Sequence, residues 1–124
     1  VLFQALRLTP GLRVLDFGGG SGWLSHWMTQ IGCEVVLLDV APTALEMARE
    51  LYRRQPAPGT TPAPEFLLFD GRHIDLPAAS VDRVVCANQH RTADQFDGER
   101  CPDTPLLRQH SMPFLSMIYS MIYT

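Results

Sequence analysis

Asp16-Phe-Gly18-Gly-Gly20-Ser-Gly22 places a carboxylate directly ahead of a glycine-rich loop. Glycines in that pattern leave no side chain between the main chain and a ligand, and they tolerate the backbone of a tight turn. Two more carboxylates follow: Asp39, about twenty residues after the loop begins, and Asp70, directly ahead of Gly71. A carboxylate can accept from both hydroxyls of a ribose, which suits Asp39, or from the exocyclic amine of a base, which suits Asp70. The structural alternatives are helix capping for Asp39 and a turn aspartate for Asp70.

These residues also discriminate between ligands. The dinucleotide fingerprint asks for Gly or Ala three residues after its second glycine, where helix and strand pack closely, and this chain has Trp23 there. That fingerprint also sets a pyrophosphate on the helix N-terminus, and Asp16 would repel it. A ligand with a cationic end and no phosphate fits Asp16 better.

The elements that would carry this site can be read from periodicity. Arg13-Val-Leu-Asp-Phe17 is an apolar, β-branched run leading into the glycines, a buried first strand. Ser21 is expected to cap the first helix, with Trp23, Leu24, Trp27, Met28 and Ile31 as its inner face and Gly32 as its stop. Cys33 to Asp39 reads as a second strand covered on both faces. Pro42, or a capping box at Thr43-x-x-Glu46, opens a second helix. Its inner face would be Ala44, Leu45, Ala48, Leu51 and Tyr52, with Glu50 facing Arg53 and Arg54 outside. Gln55 to Pro64 holds four prolines and reads as a surface connection. Glu65 to Phe69 is the third strand, Gly71 to Ser80 a loop with at most one helical turn, and Val81 to Ala87 the fourth strand. Right-handed crossovers then predict an α/β fold, a Rossmann-like doubly wound parallel sheet of order 3-2-1-4, with the ligand site at the reversal between strands 1 and 4.

Composition narrows the classes. A chain of 124 residues with 46% apolar content fits one domain, and a formal charge of −3 offers no basic field for nucleic acid or anionic lipid. Cys33, Cys86 and Cys101 are an odd set without a CxxC pair, so we expect a reducing, cytoplasmic setting. The longest apolar-rich stretch, Met112 to Tyr123, is well short of the ~20 residues of a membrane helix. No metal is expected: Cys86, His90, Cys101 and His110 match no compact ligand spacing.

Val14-Leu-Asp-Phe-Gly-Gly-Gly-Ser-Gly22, Val36-Leu-Leu-Asp39, Phe69-Asp-Gly71 with Asp75-Leu-Pro, and Val81-Asp-Arg-Val-Val-Cys86 together resemble the class I S-adenosylmethionine-dependent methyltransferases. The resemblance covers residues 10–88. It implies S-adenosylmethionine as cofactor, whose amino group and sulfonium Asp16 favours. Asp16, Gly18, Gly20 and Gly22 would line its methionine portion, Asp39 its ribose, and Asp70 and Gly71 its base, with Trp23 and Val40 packing alongside. The implied activity is methyl transfer to an unidentified, small-molecule acceptor.

Members of that family complete a seven-stranded sheet, and no such pattern follows Asn88. The expected organisation is therefore a cofactor-binding Rossmann-like domain over 1–88, incomplete relative to the family, and an irregular tail over 89–124. A truncation or frameshift after Asn88 is one explanation; a natural short domain whose Met112 to Tyr123 segment replaces the missing strands is the other. Self-association or a partner chain through the strand 4 edge is expected. A general base, if needed, would come from Asn88, Gln89 or His90. Two alternatives stay open: a catalytically silent S-adenosylmethionine-binding fragment, and an NAD(P)-binding oxidoreductase domain.

Overall fold

The computed structural model of the chain describes residues 6–85. Four strands, β1 (Arg13–Phe17), β2 (Glu34–Asp39), β3 (Glu65–Leu68) and β4 (Arg83–Val85), alternate with two helices, α1 (Trp23–Ile31) and α2 (Pro42–Arg54). The sheet order is β3-β2-β1-β4, and every pairing is parallel. This is the expected Rossmann-like half-sheet, with β4 joining on the opposite side of β1 from β2.

The period-2 alternation of the central strands separates two faces. Val14 of β1 and Val35 of β2 pack with Leu24 and Met28 of α1, while Leu37 packs with Leu45 and Ala48 of α2. Leu15, Phe17, Val36 and Leu38 point to the other face, against Phe69, Val81 and Val84. Ile74 and Leu76 of the following loop pack there too. Asp16 pairs in register with Leu37, and Asp39 lies two residues further along β2. Both aspartates therefore face the helices.

The N-terminal end of the sheet is stitched by Arg13. Its guanidinium reaches Glu65 Oε2 of β3 at 3.0 Å, Glu34 Oε1 of β2 at 3.2 Å and the Ser80 carbonyl at 3.2 Å. Its main-chain N–H donates to Asp82 Oδ2 at 2.8 Å. With that end tied, the loops at the C-terminal ends of the strands are the ones available for a ligand.

Several local expectations change. Ser21 does not cap α1: Gly22 occupies that position in a left-handed conformation, φ 85°, with no side-chain cap. The capping box at Thr43 is likewise not formed, because the helix has already begun at Pro42, with Ala41 as its cap. Trp23 and Trp27 are exposed, at 59% and 57%, while Leu24, Ser25, Met28 and Thr29 are buried. The helix is rotated from its apolar stripe because both hydroxyls find partners inside, Ser25 on Asp16 and Thr29 on the His26 carbonyl and Tyr52. A hydrogen-bonded hydroxyl can be buried at little cost. On α2, Leu45, Ala48 and Tyr52 are buried, and Ala44 and Leu51 only half so. Strand boundaries move by one or two residues, Ala87 lies outside the described residues, and residues 70–80 contain no helical turn.

Gly22 shows how tightly α1 and α2 meet: a Cβ there would lie 2.9 Å from that of Ala48. Gly22→Ala should destabilise the chain by about 2 kcal/mol, combining left-handed strain with overpacking. Gly59→Ala, with nothing within 4 Å, should be neutral or slightly stabilising. Thermal unfolding of the two variants checks the contrast, and equal melting temperatures would refute it.

Candidate functional site

The loop between β1 and α1 is built over the C-terminal end of β2. Gly18 and Gly19 donate their main-chain N–H groups to the Leu38 carbonyl at 2.7 and 3.2 Å. Gly20 donates to Asp39 Oδ2 at 2.8 Å, and Ala41 donates to Asp39 Oδ1 at 2.9 Å. Gly18 and Gly20 take left-handed conformations, φ 71° and 61°. Asp39 thus anchors the glycine loop and the start of α2 together.

Asp16 lies beneath the same loop. Ser25 Oγ donates to its Oδ2 at 2.6 Å, and both residues are buried. A Cβ at Gly19 would fall 2.8 Å from that oxygen and from Leu37 Cγ, so the loop can rest on the carboxylate only as glycine. Burial pushes the Asp16 carboxyl up to about 6, the Ser25 hydrogen bond holding it down and the charge of Asp39 pushing it further up. Among the described residues, none of the groups acting on Asp16 is a cation.

The structure brings together Asp16, Gly18, Gly20, Gly22 and Asp39 from the expected set. Val40 packs half-buried against the opposite core face. Asp70 lies on an exposed turn just after Phe69, whose N–H donates to the Asp39 carbonyl at 2.8 Å, and Asp70 Oδ1 accepts the N–H groups of Arg72 and His73 at 2.7 and 2.8 Å. Those bonds hold its carboxyl below the usual range. Gly71 follows at φ 91° with nothing near its Cβ position, so its requirement for glycine is conformational. Ser25 escaped the sequence reading; the available signal was a hydroxyl between Leu24 and Met28 on the inward side of a short helix. Trp23, which stands where the dinucleotide fingerprint places Gly or Ala, projects its side chain to solvent, and the close approach between the helices is made by Gly22.

The donor set can be tested against the candidate ligands. Two buried carboxylates at adjacent strand ends, without a neighbouring cation on Asp16, oppose a pyrophosphate and favour a ligand that brings positive charge. S-adenosylmethionine fits that requirement. Asn88, Gln89 and His90 lie outside the described residues, as do Cys86, Cys101 and His110. Among the described residues no group of three or more His, Cys, Asp or Glu could hold a metal, and no helix is long and apolar enough to cross a membrane.

Comparison with known proteins gives this site its class. Residues 15–97, more than half of the chain, match the family model described as a methyltransferase domain. The chain belongs to the methyltransferase domain family. It is 37% identical over 79 residues to ribosomal protein L11 methyltransferase from Symbiobacterium thermophilum, covering 63% of this chain and 21% of that protein. It is 37% identical over 73 residues to malonyl-[acyl-carrier protein] O-methyltransferase from Serratia marcescens, covering 59% and 25%. The chain therefore spans a quarter or less of the length of these curated relatives. Among solved structures, the YcgJ protein from Bacillus subtilis superposes with a TM-score of 0.66 at 18% identity, covering 89% of this chain and 45% of that one. An S-adenosylmethionine-dependent methyltransferase from Mesorhizobium loti superposes with a TM-score of 0.57 at 28% identity, covering 68% and 37%.

The raised Asp16 carboxyl has a pH consequence with a definite sign. A folded-state value near 6 against 3.8 means that the folded chain holds this proton more tightly than the unfolded chain. Stability from this group is therefore highest below about pH 4 and falls as pH rises to about 6. Asp16→Asn should remove the penalty, gaining up to about 3 kcal/mol on the wild type between about pH 4 and pH 7. Urea unfolding of both proteins across that range measures it; parallel stability curves would show that Asp16 titrates normally.

Proposed function

We propose that the chain is the cofactor-binding portion of a class I methyltransferase that uses S-adenosylmethionine to methylate a small-molecule acceptor. The observation that carries this reading is the pair of buried carboxylates, Asp16 and Asp39, at adjacent strand ends beneath a glycine loop. Asp39, which holds Gly20 of the loop and Ala41 at the start of α2, is the carboxylate that would meet the ribose hydroxyls. Asp16 supplies negative charge through the bare backbone of Gly19 to the cationic amino-acid end. Gly18, Gly20 and Gly22 shape the floor, and Val40, Asp70 and Gly71 border the base.

When bound, the cofactor supplies a methyl carbon activated by positive sulfur, so the protein's task is alignment, close approach and exclusion of water. The glycine loop permits the approach, and the Gly20 to Asp39 bond fixes its height above the sheet. Membership in the methyltransferase family sets aside the oxidoreductase reading. A catalytically silent cofactor-binding fragment is the second reading, carried by the same carboxylates and glycine loop. Association through β4 belongs to the proposal as well, since among the described residues β4 pairs only with β1.

Calorimetric titration with S-adenosylhomocysteine should show saturable binding. Asp39→Ala should weaken it at least about tenfold, the scale of one lost hydrogen bond to a charged acceptor. Binding of NADH with no response to S-adenosylhomocysteine would overturn the reading, and turnover with any acceptor would remove the silent alternative.

A further inference from the structure

We infer that Ser25 is a positioning residue for the cofactor: its hydroxyl locks Asp16 Oδ2 beneath the glycine loop and so orients the charge that meets the ligand's amino-acid end. The inference rests on the cofactor reading proposed above.

Geometry confines the oxygen from two sides. Ser25 lies in the first turn of α1, is wholly buried, and approaches Oδ2 at 2.6 Å, within the short range of hydrogen bonds to a charged acceptor. The Gly19 backbone closes the other side, where a Cβ would be 2.8 Å from the same oxygen. The serine bond on one side and the Gly19 backbone on the other fix the orientation of the carboxylate beneath the loop.

The surrounding groups explain why this bond matters. From β2, Asp39 bears on Asp16 with like charge; from α2, Tyr52 faces it, its phenol pushed up by burial and by the Asp16 charge. Burial also favours the neutral acid. Against these, Ser25 contributes its hydroxyl and its main-chain N–H, both favouring the ionised form. Helix α1 is thereby coupled to the state of Asp16. A serine chosen only to fill space would not require the donor.

The test compares S-adenosylhomocysteine with 5′-methylthioadenosine, which has the nucleoside and sulfur but no amino-acid end, on wild-type, Ser25→Ala and Ser25→Thr chains. Ser25→Ala should lose about tenfold in affinity for S-adenosylhomocysteine, as expected for a lost hydrogen bond to a charged group, and less than about twofold for methylthioadenosine. Ser25→Thr, which restores the hydroxyl, should recover the difference. The wild-type preference for S-adenosylhomocysteine should also fall as Asp16 is protonated, with a midpoint that moves to higher pH in Ser25→Ala. Should Ser25→Ala not fold, Ser25→Cys keeps the side-chain volume with a weak donor and is read in the same way. An equal loss for both ligands, or none for either, would overturn the role of Ser25 and leave the cofactor site standing. Failure of the folded wild type to bind either ligand would overturn the cofactor reading itself.

Discussion

Two carboxylates share the helix side of one parallel sheet because strands alternate their side chains and β1 and β2 pair in a fixed register. Asp16 and Asp39 stand two residues apart along that register, at neighbouring strand ends. A slip of one residue would turn either of them to the opposite face, among Phe69, Val81 and Val84. The glycine loop, the start of both helices and the charge of the site depend on this placement, since Asp39 accepts from the loop and from Ala41 while Asp16 accepts from α1.

The two aspartates are buried in different ways. Asp39 accepts two main-chain N–H groups, which pin the loop and the helix start to β2. Asp16 accepts a serine hydroxyl and carries the cost of burial beside a like charge. Among the described residues Asp16 has no cation acting on it, and a buried carboxyl of that kind is a local weakness of the sort that concentrates at functional sites. The opposite end of the sheet shows the contrast: Arg13 there is a cation that meets two glutamates and a carbonyl. The exposed face of α2 is similar, Glu50 being held by Arg53 and Arg54.

Family membership, the Rossmann-like sheet and the site geometry agree on a class, and the chain spans a quarter or less of the curated relatives named above. The relatives named above act on a ribosomal protein and on an acyl-carrier-bound malonyl group, by their names. Such different acceptors on one cofactor-binding half accord with function residing in sites grafted on a shared fold.

Strand order, helix number and the glycine loop were legible in the sequence because each has a local physical cause. Continuous apolar runs mark strands covered on both faces, and glycines mark the turns between them. Asp16 and Asp39 could be placed for the same reason, one next to last in β1 and the other last in β2, strands whose direction and neighbours the crossover rule dictates. Local pattern could not settle which side of α1 faces inward. Trp23 and Trp27 outweigh Ser25 and Thr29 in any apolar count, yet the hydroxyls are buried, because their partners arrive from β1 and α2 across the fold. Nor could it show that Gly22 rather than Trp23 makes the close approach, since Ala48 is distant in the chain. Sequence by itself determined the elements and their order; tertiary structure decided their ends and which residues share a hydrogen bond, because only packing brings groups from separate elements within reach.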